Sequence, residues 1–469
     1  MSKKKILLLS DDLRLPSGVG TMSKHMVLGS VDRFDWVQLG AAIKHPDKGK
    51  VFDLSEDAQK QTGVGDASVK VYPWDGYGDQ NILRQLLNVE KPDAILHFTD
   101  PRQWMWLYNM EHEVRQNIPI FFYHIWDDLP DPLYNRNYYE CCDWIGCISK
   151  QTYGITKRVW GSELESQWNQ PTDNQVDYVP HGIDTDLFQP IDENHKDYGM
   201  MNDFKQKLFD GKDPNFVLFF NSRNIHRKRL PNAIYGYKRF LDGLSEEERD
   251  ECRFIMHTTP VDPNGTDLPK VIKHLAPEYI DNFTFSTDKV SSEQLNALYN
   301  IGDATIHVSS NEGFGLGTAE SLAAGTPIIV TVTGGLQDQC GFRWKDGDYF
   351  TAEDYVDIGS LHDWRSWEGQ VDYGEWATPI WPRVSSLQGS PPTPYIFDDL
   401  ADIHDITEAI KLNYERTREE RKERGLKGRE WLMNEGGLSK ENMCDLFKEY
   451  MTREIDNFQP RKRFEVYSV

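Results

Sequence analysis

The sequence has few cysteines and no long apolar run. Six cysteines in 469 residues are too few for a disulfide framework, and none of them forms a CxxC pair. We therefore expect reduced, buried thiols in a cytoplasmic protein. The first apolar run, from Ile6 to Leu9, is too short for a secretion signal. No apolar run reaches the roughly 18 residues of a membrane span, so no transmembrane helix is expected.

The sequence also lacks an excess of basic residues. Acidic residues outnumber lysine and arginine 75 to 52, which gives a formal charge of −23. This charge argues against an extended nucleic-acid-binding surface, and the short basic runs at 226–229 and 460–463 do not reverse it. No strand is followed by a complete GxGxxG with a downstream acidic residue, which disfavours a dehydrogenase.

What the sequence does contain is a series of short apolar segments bounded by polar residues. Such segments are typical of buried parallel strands, and helical stretches separate several of them. The first half contains KKKILLLSDD, DAILHFTD, IPIFFYHIW and DWIGCIS, and the second contains NFVLFFNSR, RFIMHTT, NFTFSTD, ATIHVSS and PIIVTV. The alternation predicts an α/β fold with two Rossmann-like, doubly wound parallel sheets.

Composition suggests where these units end. We predict a first domain at 1–195, a second at 196–440, and a final helix and tail at 441–469. Polar residues from about 192 to 215 read as a linker. A tryptophan-rich insertion at 341–394 interrupts the second domain and shows little periodicity, so it is interpreted as an elaborated loop or a small subdomain.

One stretch, SSNEGFGLGTAESLAAGTPIIVTVTGGL at 309–336, places two glutamates beside a glycine-rich bend. The bend joins a strand to a short helix and comprises Gly313, Phe314, Gly315, Leu316 and Gly317. Its backbone N–H groups and the helix dipole suit a diphosphate, which side chains in place of the glycines would hold away.

The two glutamates, Glu312 and Glu320, lie on either side of this bend. Glu320, in the first helical turn, suits the hydroxyls of a ribose, and Glu312 suits those of a second sugar. Together they indicate a nucleotide diphosphate sugar. The alternative is that Glu320 only favours the helix start and that Glu312 is a surface residue.

Other candidates follow strands elsewhere in the chain. Arg223 ends the strand NFVLFFNSR, and Lys228 lies five residues on, so both are candidates to neutralise a diphosphate. A solvated basic loop is the alternative. Gly18 and Gly20 form a bend after the first strand, either as a tight turn or to let backbone approach a ligand between the domains. His124 also lies at a strand end, where a functional role competes with a structural one.

The sequence resembles the retaining GT-B glycosyltransferases, specifically glycosyltransferase family four, also called glycosyl transferases group one. The E-x7-E block at 309–336 carries most of the resemblance. VPHGIDTDLF at 179–188, LNALYNIGDATIHVS before the bend, SGVGTMS, the Arg223 and Lys228 pair and His124 add to it. The resemblance implies two Rossmann-like domains facing across a cleft, with the last helix crossing back onto the first domain.

The resemblance also implies roles for the candidate residues. The donor would be a nucleotide diphosphate sugar held by the second domain, with no metal and no other cofactor. Arg223 and Lys228 would neutralise the diphosphate, Glu320 would hold the ribose, and Glu312 with residues 313–316 would surround the donor sugar. His124 would lie beside the transferred sugar. The sugar would move with retention of configuration to an acceptor hydroxyl.

The acceptor is left open between a saccharide, a glycolipid and a hydroxymethylated DNA base, since some phage enzymes of similar appearance modify DNA. A GT-B phosphorylase or epimerase, or a non-catalytic nucleotide-sugar-binding protein, are the alternative functions. Two departures from the family pattern stand out. FFNSR has no glycine before Arg223, and the insertion at 341–394 is unusual. We expect the insertion either to line the acceptor site or to form an oligomer contact.

Overall fold

The structure is a computed structural model and describes residues 3–46, 48–161, 174–345 and 347–461. Residues 462–469 of the predicted C-terminal tail lie outside the described residues.

The first sheet has eight strands. They are β1 (Lys4–Asp11), β2 (Phe34–Ala41), β3 (Phe52–Asp53), β4 (Val69–Pro73), β5 (Ala94–Phe98), β6 (Ile120–His124), β7 (Trp144–Cys147) and β8 (Val176–Tyr178). Their spatial order is β3-β4-β2-β1-β5-β6-β7-β8, and every pair is parallel except β3 with β4. Ile6 to Leu9 in β1 are wholly buried, because helices cover both faces of a parallel sheet.

Seven helices accompany this sheet. They are α1 (Gly18–Leu28), α2 (Ser55–Thr62), α3 (Gln80–Glu90), α4 (Met105–Tyr108), α5 (Glu111–Val114), α6 (Arg136–Glu140) and α7 (Lys150–Gly161). Residue types at the helix ends explain where several begin. The Ser17 side chain, for example, accepts a hydrogen bond from Gly20 N and caps α1.

The second sheet has six parallel strands. They are β9 (Phe216–Asn221), β10 (Cys252–His257), β11 (Phe283–Ser286), β12 (Ala304–His307), β13 (Ile328–Thr331) and β14 (Ala377–Ile380). Their order, β11-β10-β9-β12-β13-β14, is that of a Rossmann sheet. The strand order reverses between β9 and β12, so a crevice is expected at the carboxyl ends of these two strands.

Ten helices complete the second half. They are α8 (Tyr198–Leu208), α9 (Leu230–Asp242), α10 (Glu246–Asp250), α11 (Leu268–Leu275), α12 (Ser292–Ile301), α13 (Leu316–Ala323), α14 (Asp354–Asp357), α15 (Ile403–Tyr414), α16 (Arg418–Met433) and α17 (Lys440–Asn457). The stretch that reads as a linker therefore contains a helix, α8. Its buried Met201 and its packing on α12 supply the stability that its weak periodicity does not reveal.

The tryptophan-rich insertion is built from several pieces. Strand β14 joins the main sheet, while the rings of Trp344 and Trp367 pack on Phe350 with centroids 4.2 Å and 4.9 Å away. An antiparallel hairpin then begins within the insertion and runs past its predicted end. Its strands are β15 (Val384–Ser390) and β16 (Thr393–Leu400).

Helix α17 returns to the first domain, as the resemblance implied. Phe447 packs edge-on against Tyr123, with ring centroids 4.8 Å apart. A Cβ added to Gly29, after α1, would lie only 2.2 Å from Cys444 Sγ. The glycine therefore allows α17 and the end of α1 to pack closely.

All six cysteines are free thiols, as expected. Within the described ranges, no helix is both long and apolar enough to pass through a lipid bilayer.

Candidate functional site

The candidate site is centred on the bend between β12 and α13. Gly315, at the start of α13, has φ +90°, and a Cβ there would lie 2.5 Å from Leu336 Cδ2. A Cβ at Gly317 would lie 2.9 Å from the carbonyl oxygen of Asn221, at the end of β9. Glycine is therefore required at both positions, one for its conformation and one for its lack of a side chain.

The paired glycines at the end of the motif, Gly334 and Gly335, pack against the backbone of this bend. Gly335 N donates to Glu312 O at 2.8 Å. A Cβ at Gly334 would lie 2.1 Å from Glu312 O, and one at Gly335 would lie 2.3 Å from Gly313 O. The Gln339 amide also donates to Phe314 O, at 2.6 Å. These contacts fix the backbone of the bend.

Glu312 is the centre of a group of charges in which Glu312 and Lys228 are buried and Arg227 is partly exposed. Its carboxylate pairs with Lys228 and, at 3.2 Å, with Arg227. The side chains of Glu312 and Lys228 are only 11% and 7% exposed. Burial opposes ionisation, but the two cations outweigh it and hold the pKa of Glu312 at about 2. Glu312 is thus an ionised carboxylate, and the reading of it as a surface residue does not fit the structure.

Lys228 ends a short 3-10 turn, His226–Lys228, in the loop between β9 and α9. Burial lowers the pKa of its ammonium, while Glu312 opposes that change. Arg227 also donates to Asn311 O at 2.7 Å, and it interacts electrostatically with Asp127 and Asp128 of the first domain. The cluster therefore joins charges from both domains.

Glu320 occupies a different setting on α13. Tyr299 OH donates to Glu320 Oε2 at 2.7 Å, and Asn221 Nδ2 donates to that hydroxyl at 2.7 Å. Burial of the carboxyl raises its pKa from 4.5 to about 7. At neutral pH Glu312 is therefore ionised, because two cations lie beside it, whereas Glu320 is near its pKa because burial dominates there.

Arg223 lies apart from this charge cluster. Its guanidinium pairs with Asp262 at 2.8 Å, and its side chain is 60% exposed. The structure brings Lys228 to Glu312 but does not bring Arg223 there, because Arg223 turns toward the loop that follows β10. Its assignment to a diphosphate stays a prediction.

His124 ends β6, but its ring points into the first domain. Nδ1 is 3.0 Å from Thr156 Oγ1, and Nε2 is 3.2 Å from Tyr139 OH. Burial lowers the pKa of the imidazole to about 3, so the ring is neutral. The structure thus gives both ring nitrogens partners within the first domain and does not place His124 among the charges around Glu312.

The bend at Gly18 faces the second domain, whereas Gly20 serves local packing. A Cβ at Gly18 would lie 3.2 Å from Leu316 Cδ1. A Cβ at Gly20 would lie 2.4 Å from Leu15 O, within the same turn. On the other side of the cleft, a Cβ at Gly313 would lie 3.1 Å from Ile148 Cδ1. Glycines on both sides thus let the two domains approach closely at the bend.

Sequence reasoning missed Arg227 and His307. Arg227 precedes Lys228 in the short run HRKR, which was read only as a basic patch. His307 is the last residue of β12, stacks on Phe220 with ring centroids 5.0 Å apart, and is nearly inaccessible. Neither ring nitrogen has a hydrogen-bond partner among the described residues. Its place at a strand end was the signal available in the sequence.

Comparison with known proteins locates the family resemblance in the second half of the chain. Residues 201–341 match the model of the family Glycosyl transferases group 1, which confirms the resemblance carried by the E-x7-E block. The match includes β9 to β13, the bend and both glutamates.

Curated relatives match parts of the chain. An MMP alpha-(1->4)-mannosyltransferase of Mycolicibacterium hassiacum is 27% identical over 187 residues, 40% of this chain and 38% of the relative. A D-inositol 3-phosphate glycosyltransferase of Stackebrandtia nassauensis is 28% identical over 167 residues, 35% of this chain and 34% of the relative. A trehalose phosphorylase of Grifola frondosa is 27% identical over 134 residues, 26% of this chain and 18% of the relative. The chain thus spans well under half the length of each.

Solved structures resemble the chain along nearly its whole length. A glycosyltransferase from Rickettsia africae has a TM-score of 0.63 and 12% identity, and the match covers 97% of this chain and 100% of that one. An E. coli trehalose-6-phosphate structure bound with UDP-2-fluoro glucose has a TM-score of 0.63 and 12% identity, covering 98% and 100%. At this identity the likeness shows the fold, which is GT-B as expected.

Proposed function

We propose that the chain is a retaining, metal-independent glycosyltransferase that moves a sugar from a nucleotide diphosphate sugar to an acceptor hydroxyl. The observation that supports this proposal most strongly is the buried pair of Glu312 and Lys228, with the partly exposed Arg227, beside the glycine bend. Glu320 lies eight residues further on. At a site suited to phosphate, the two cations can neutralise a diphosphate leaving group, and the carboxylate can accept hydroxyls of the attached sugar.

In this proposal the second domain holds the donor. The backbone N–H groups of the bend and the α13 dipole face the diphosphate, and Lys228 and Arg227 neutralise it. Arg223 joins them only after its guanidinium leaves Asp262. Glu320 accepts the ribose hydroxyls through the oxygen that Tyr299 does not occupy, and Glu312 accepts hydroxyls of the donor sugar.

The transfer needs no covalent intermediate on the protein. The acceptor oxygen forms a bond to the anomeric carbon on the face from which the diphosphate leaves, while the bond from that carbon to the phosphate oxygen breaks. The proton of the acceptor hydroxyl passes to a phosphate oxygen, and configuration is retained. Lys228 and Arg227 stabilise the negative charge that grows on the leaving group. Each well-placed donor of this kind contributes about 3 to 4 kcal/mol.

His124 contacts the transferred sugar in this scheme only if its ring turns away from Thr156 and Tyr139. With its present partners it is a neutral imidazole inside the first domain. We keep it as a candidate for contact with the sugar, and test it through the variant His124→Ala.

The proposal is tested by incubating the purified chain with UDP-, GDP- and ADP-activated sugars and measuring release of the nucleoside diphosphate. UDP-glucose is the first choice, because UDP-sugar analogues are bound in a structural neighbour. EDTA tests the metal independence, and proton NMR of the product gives its anomeric configuration. Glu320→Ala should weaken donor binding, whereas Glu312→Ala should mainly reduce kcat, by about 100-fold or more.

The exposed Glu247 provides a matched control, because it lies on α10, away from the bend. Glu247→Ala should retain both donor affinity and kcat. If Glu312→Ala and Glu320→Ala also retain full activity, the donor site is elsewhere.

A phosphorylase is the second candidate, and the partial likeness to a trehalose phosphorylase favours it. Such an enzyme would form a sugar phosphate from a disaccharide and inorganic phosphate. Sugar phosphate production without any nucleotide would select it over the transferase, and tight nucleotide binding without turnover would identify a non-catalytic binder.

A further inference from the structure

The hairpin of β15 and β16 lies against both domains next to the candidate site. Phe397 N, in β16, donates to Leu129 O of the first domain at 2.6 Å. Phe397 O accepts from Asn311 Nδ2 at 2.5 Å, and Asn311 directly precedes Glu312. The same Asn311 amide also donates to Asp128 of the first domain. Strand β16 thus fills the space between the loop after β6 and the residues that lead into the bend.

Two aspartates hold β16 in this place. Asp398 accepts from Arg229 at 2.6 Å and from Ser310 at 3.0 Å. Asp399, which is buried, accepts from Thr333 at 2.8 Å and from Ser385 at 2.7 Å. Because Arg229 directly follows Lys228 and Ser310 lies two residues before Glu312, the contacts of Asp398 fix the hairpin relative to the candidate site.

The hairpin also completes a row of aromatic rings, which we name the aromatic wall and define as Trp126, Tyr134 and Tyr395. Tyr395, from β16, packs edge-on against Tyr134 with centroids 5.0 Å apart, and Tyr134 packs edge-on against Trp126 at 5.8 Å. Tyr134 OH donates to Tyr395 O at 3.0 Å. All three rings are half-buried. Trp126 immediately precedes Asp127, whose carboxyl interacts with Arg227 and Glu312.

Two carboxyl groups lie beside the aromatic wall, and burial raises the pKa of both. Asp127 and Asp128 follow Trp126 directly in the chain. Arg102 lies over the Trp126 ring, 5.6 Å from its centroid, but it donates three hydrogen bonds to the Asp100 carboxylate, at 2.5 to 3.1 Å. Its charge is therefore already neutralised. The chain as a whole carries a formal charge of −23, which disfavours a long polyanion as the acceptor, whereas the carboxyl groups beside the wall suit a ligand that bears hydroxyl groups.

We propose that the aromatic wall binds the acceptor and that the acceptor is an uncharged saccharide. The proposal rests on the glycosyltransferase function proposed above. Aromatic rings offer flat apolar surface to the C–H faces of a sugar ring, and nearby carboxylates accept its hydroxyls. Tyr395 lies beyond residues 201–341, the range that matches the family model. A base within a DNA duplex is disfavoured as the acceptor because the phosphate backbone and the chain are both negatively charged.

The test uses the donor that the wild-type chain hydrolyses fastest, with maltose, cellobiose and methyl α-D-mannopyranoside as acceptors. A short DNA duplex containing 5-hydroxymethylcytosine is the competing acceptor. Release of nucleoside diphosphate is measured with and without each acceptor. Tyr395→Ala removes one ring of the aromatic wall, and Tyr395→Phe keeps it. Leu387→Ala, on the same hairpin and 63% exposed, is the matched control.

A saccharide should accelerate release of the nucleoside diphosphate by the wild-type chain. Tyr395→Ala should raise the acceptor KM about tenfold and leave donor hydrolysis without acceptor unchanged. Tyr395→Phe and Leu387→Ala should both keep the wild-type acceptor KM. Retained donor hydrolysis separates a lost acceptor contact from a misfolded chain.

Two outcomes overturn the inference while the proposed function stands. One is donor hydrolysis that only the duplex accelerates, and the other is an unchanged acceptor KM in Tyr395→Ala. If the wild-type chain releases no nucleoside diphosphate from any donor, the proposed function fails, and the inference about the acceptor fails with it.

Discussion

Replacing Lys228 with methionine tests the charge group at the centre of the candidate site. Methionine keeps most of the apolar length of the side chain and removes the ammonium, so the change leaves little cavity. Glu312 then keeps Arg227, at 3.2 Å, as its remaining cation. Because both side chains of the original pair are nearly inaccessible to water, solvent does not replace the lost partner.

The size of the effect follows from the pKa of Glu312. Its cations lower the pKa from 4.5 to about 2 despite burial, which corresponds to about 3 kcal/mol of stabilisation at neutral pH. Removing one partner of a buried ion pair costs about 3 to 5 kcal/mol, and Arg227 retains part of the attraction. We therefore expect Lys228→Met to lower the free energy of unfolding by about 2 to 3 kcal/mol at pH 7.

The pH dependence has a definite sign. The folded pKa of Glu312 lies below its unfolded value, so its stabilisation is complete above pH 4.5 and is lost as the pH falls toward about 2. In Lys228→Met the folded pKa of Glu312 rises, so this loss on acidification should shrink. Urea denaturation between pH 3 and pH 8 measures both effects.

The double variant Lys228→Met with Glu312→Gln separates charge from packing. It should recover much of the lost stability, because no buried carboxylate is left without its ammonium. Lys270→Met, at an 84% exposed lysine, should leave the urea midpoint unchanged. The reasoning is refuted if Lys228→Met unfolds at the wild-type urea concentration, or if the double variant is no more stable than the single one.

Three further predictions concern neighbouring residues. Because the pKa of Glu320 is about 7, affinity for a nucleoside diphosphate should rise between about pH 6 and 8. Titration calorimetry across this pH range measures the rise, and Glu320→Gln should flatten it. A Cβ at Gly335 would lie 2.3 Å from Gly313 O, so Gly335→Ala should lower Tm and weaken donor binding. Gly199→Ala, at an open helical position, should do neither. Arg227→Ala should reduce kcat more than Arg223→Ala, which should chiefly raise the donor KM. Equal kinetics in Arg223→Ala and wild type would remove Arg223 from the phosphate site.

The strands and the bend were predictable because their signals are local. Ile6 to Leu9 form an uninterrupted apolar run, and the run is a wholly buried strand. Gly315 and Gly317 lie where the backbone turns from strand to helix. Gly315 has a positive φ, and Gly317 leaves no room for a side chain, so glycine in the sequence indicates the bend at both positions. Helix α8 was missed because its stability comes from packing on α12 rather than from its own periodicity.

Local signals did not reveal the partners of the charged side chains. Arg223 and Lys228 look equivalent in the sequence, yet one pairs with Asp262 and the other with Glu312. His124 was expected beside the transferred sugar, but its two ring nitrogens have Thr156 and Tyr139 of the first domain as partners. Each of these partners belongs to another segment, so the outcome depends on how helices and loops pack around the strand ends.

The amino-acid sequence by itself determined the two parallel sheets, the glycine bend and the two glutamates beside it, because these depend on residues within a few positions of one another. Only the tertiary structure decided which cations neutralise Glu312 and that the hairpin carrying Tyr395 lies beside the bend. The physical reason is that an ion pair or a ring contact depends on distance in space, and in this chain Lys228 and Glu312 are 84 residues apart.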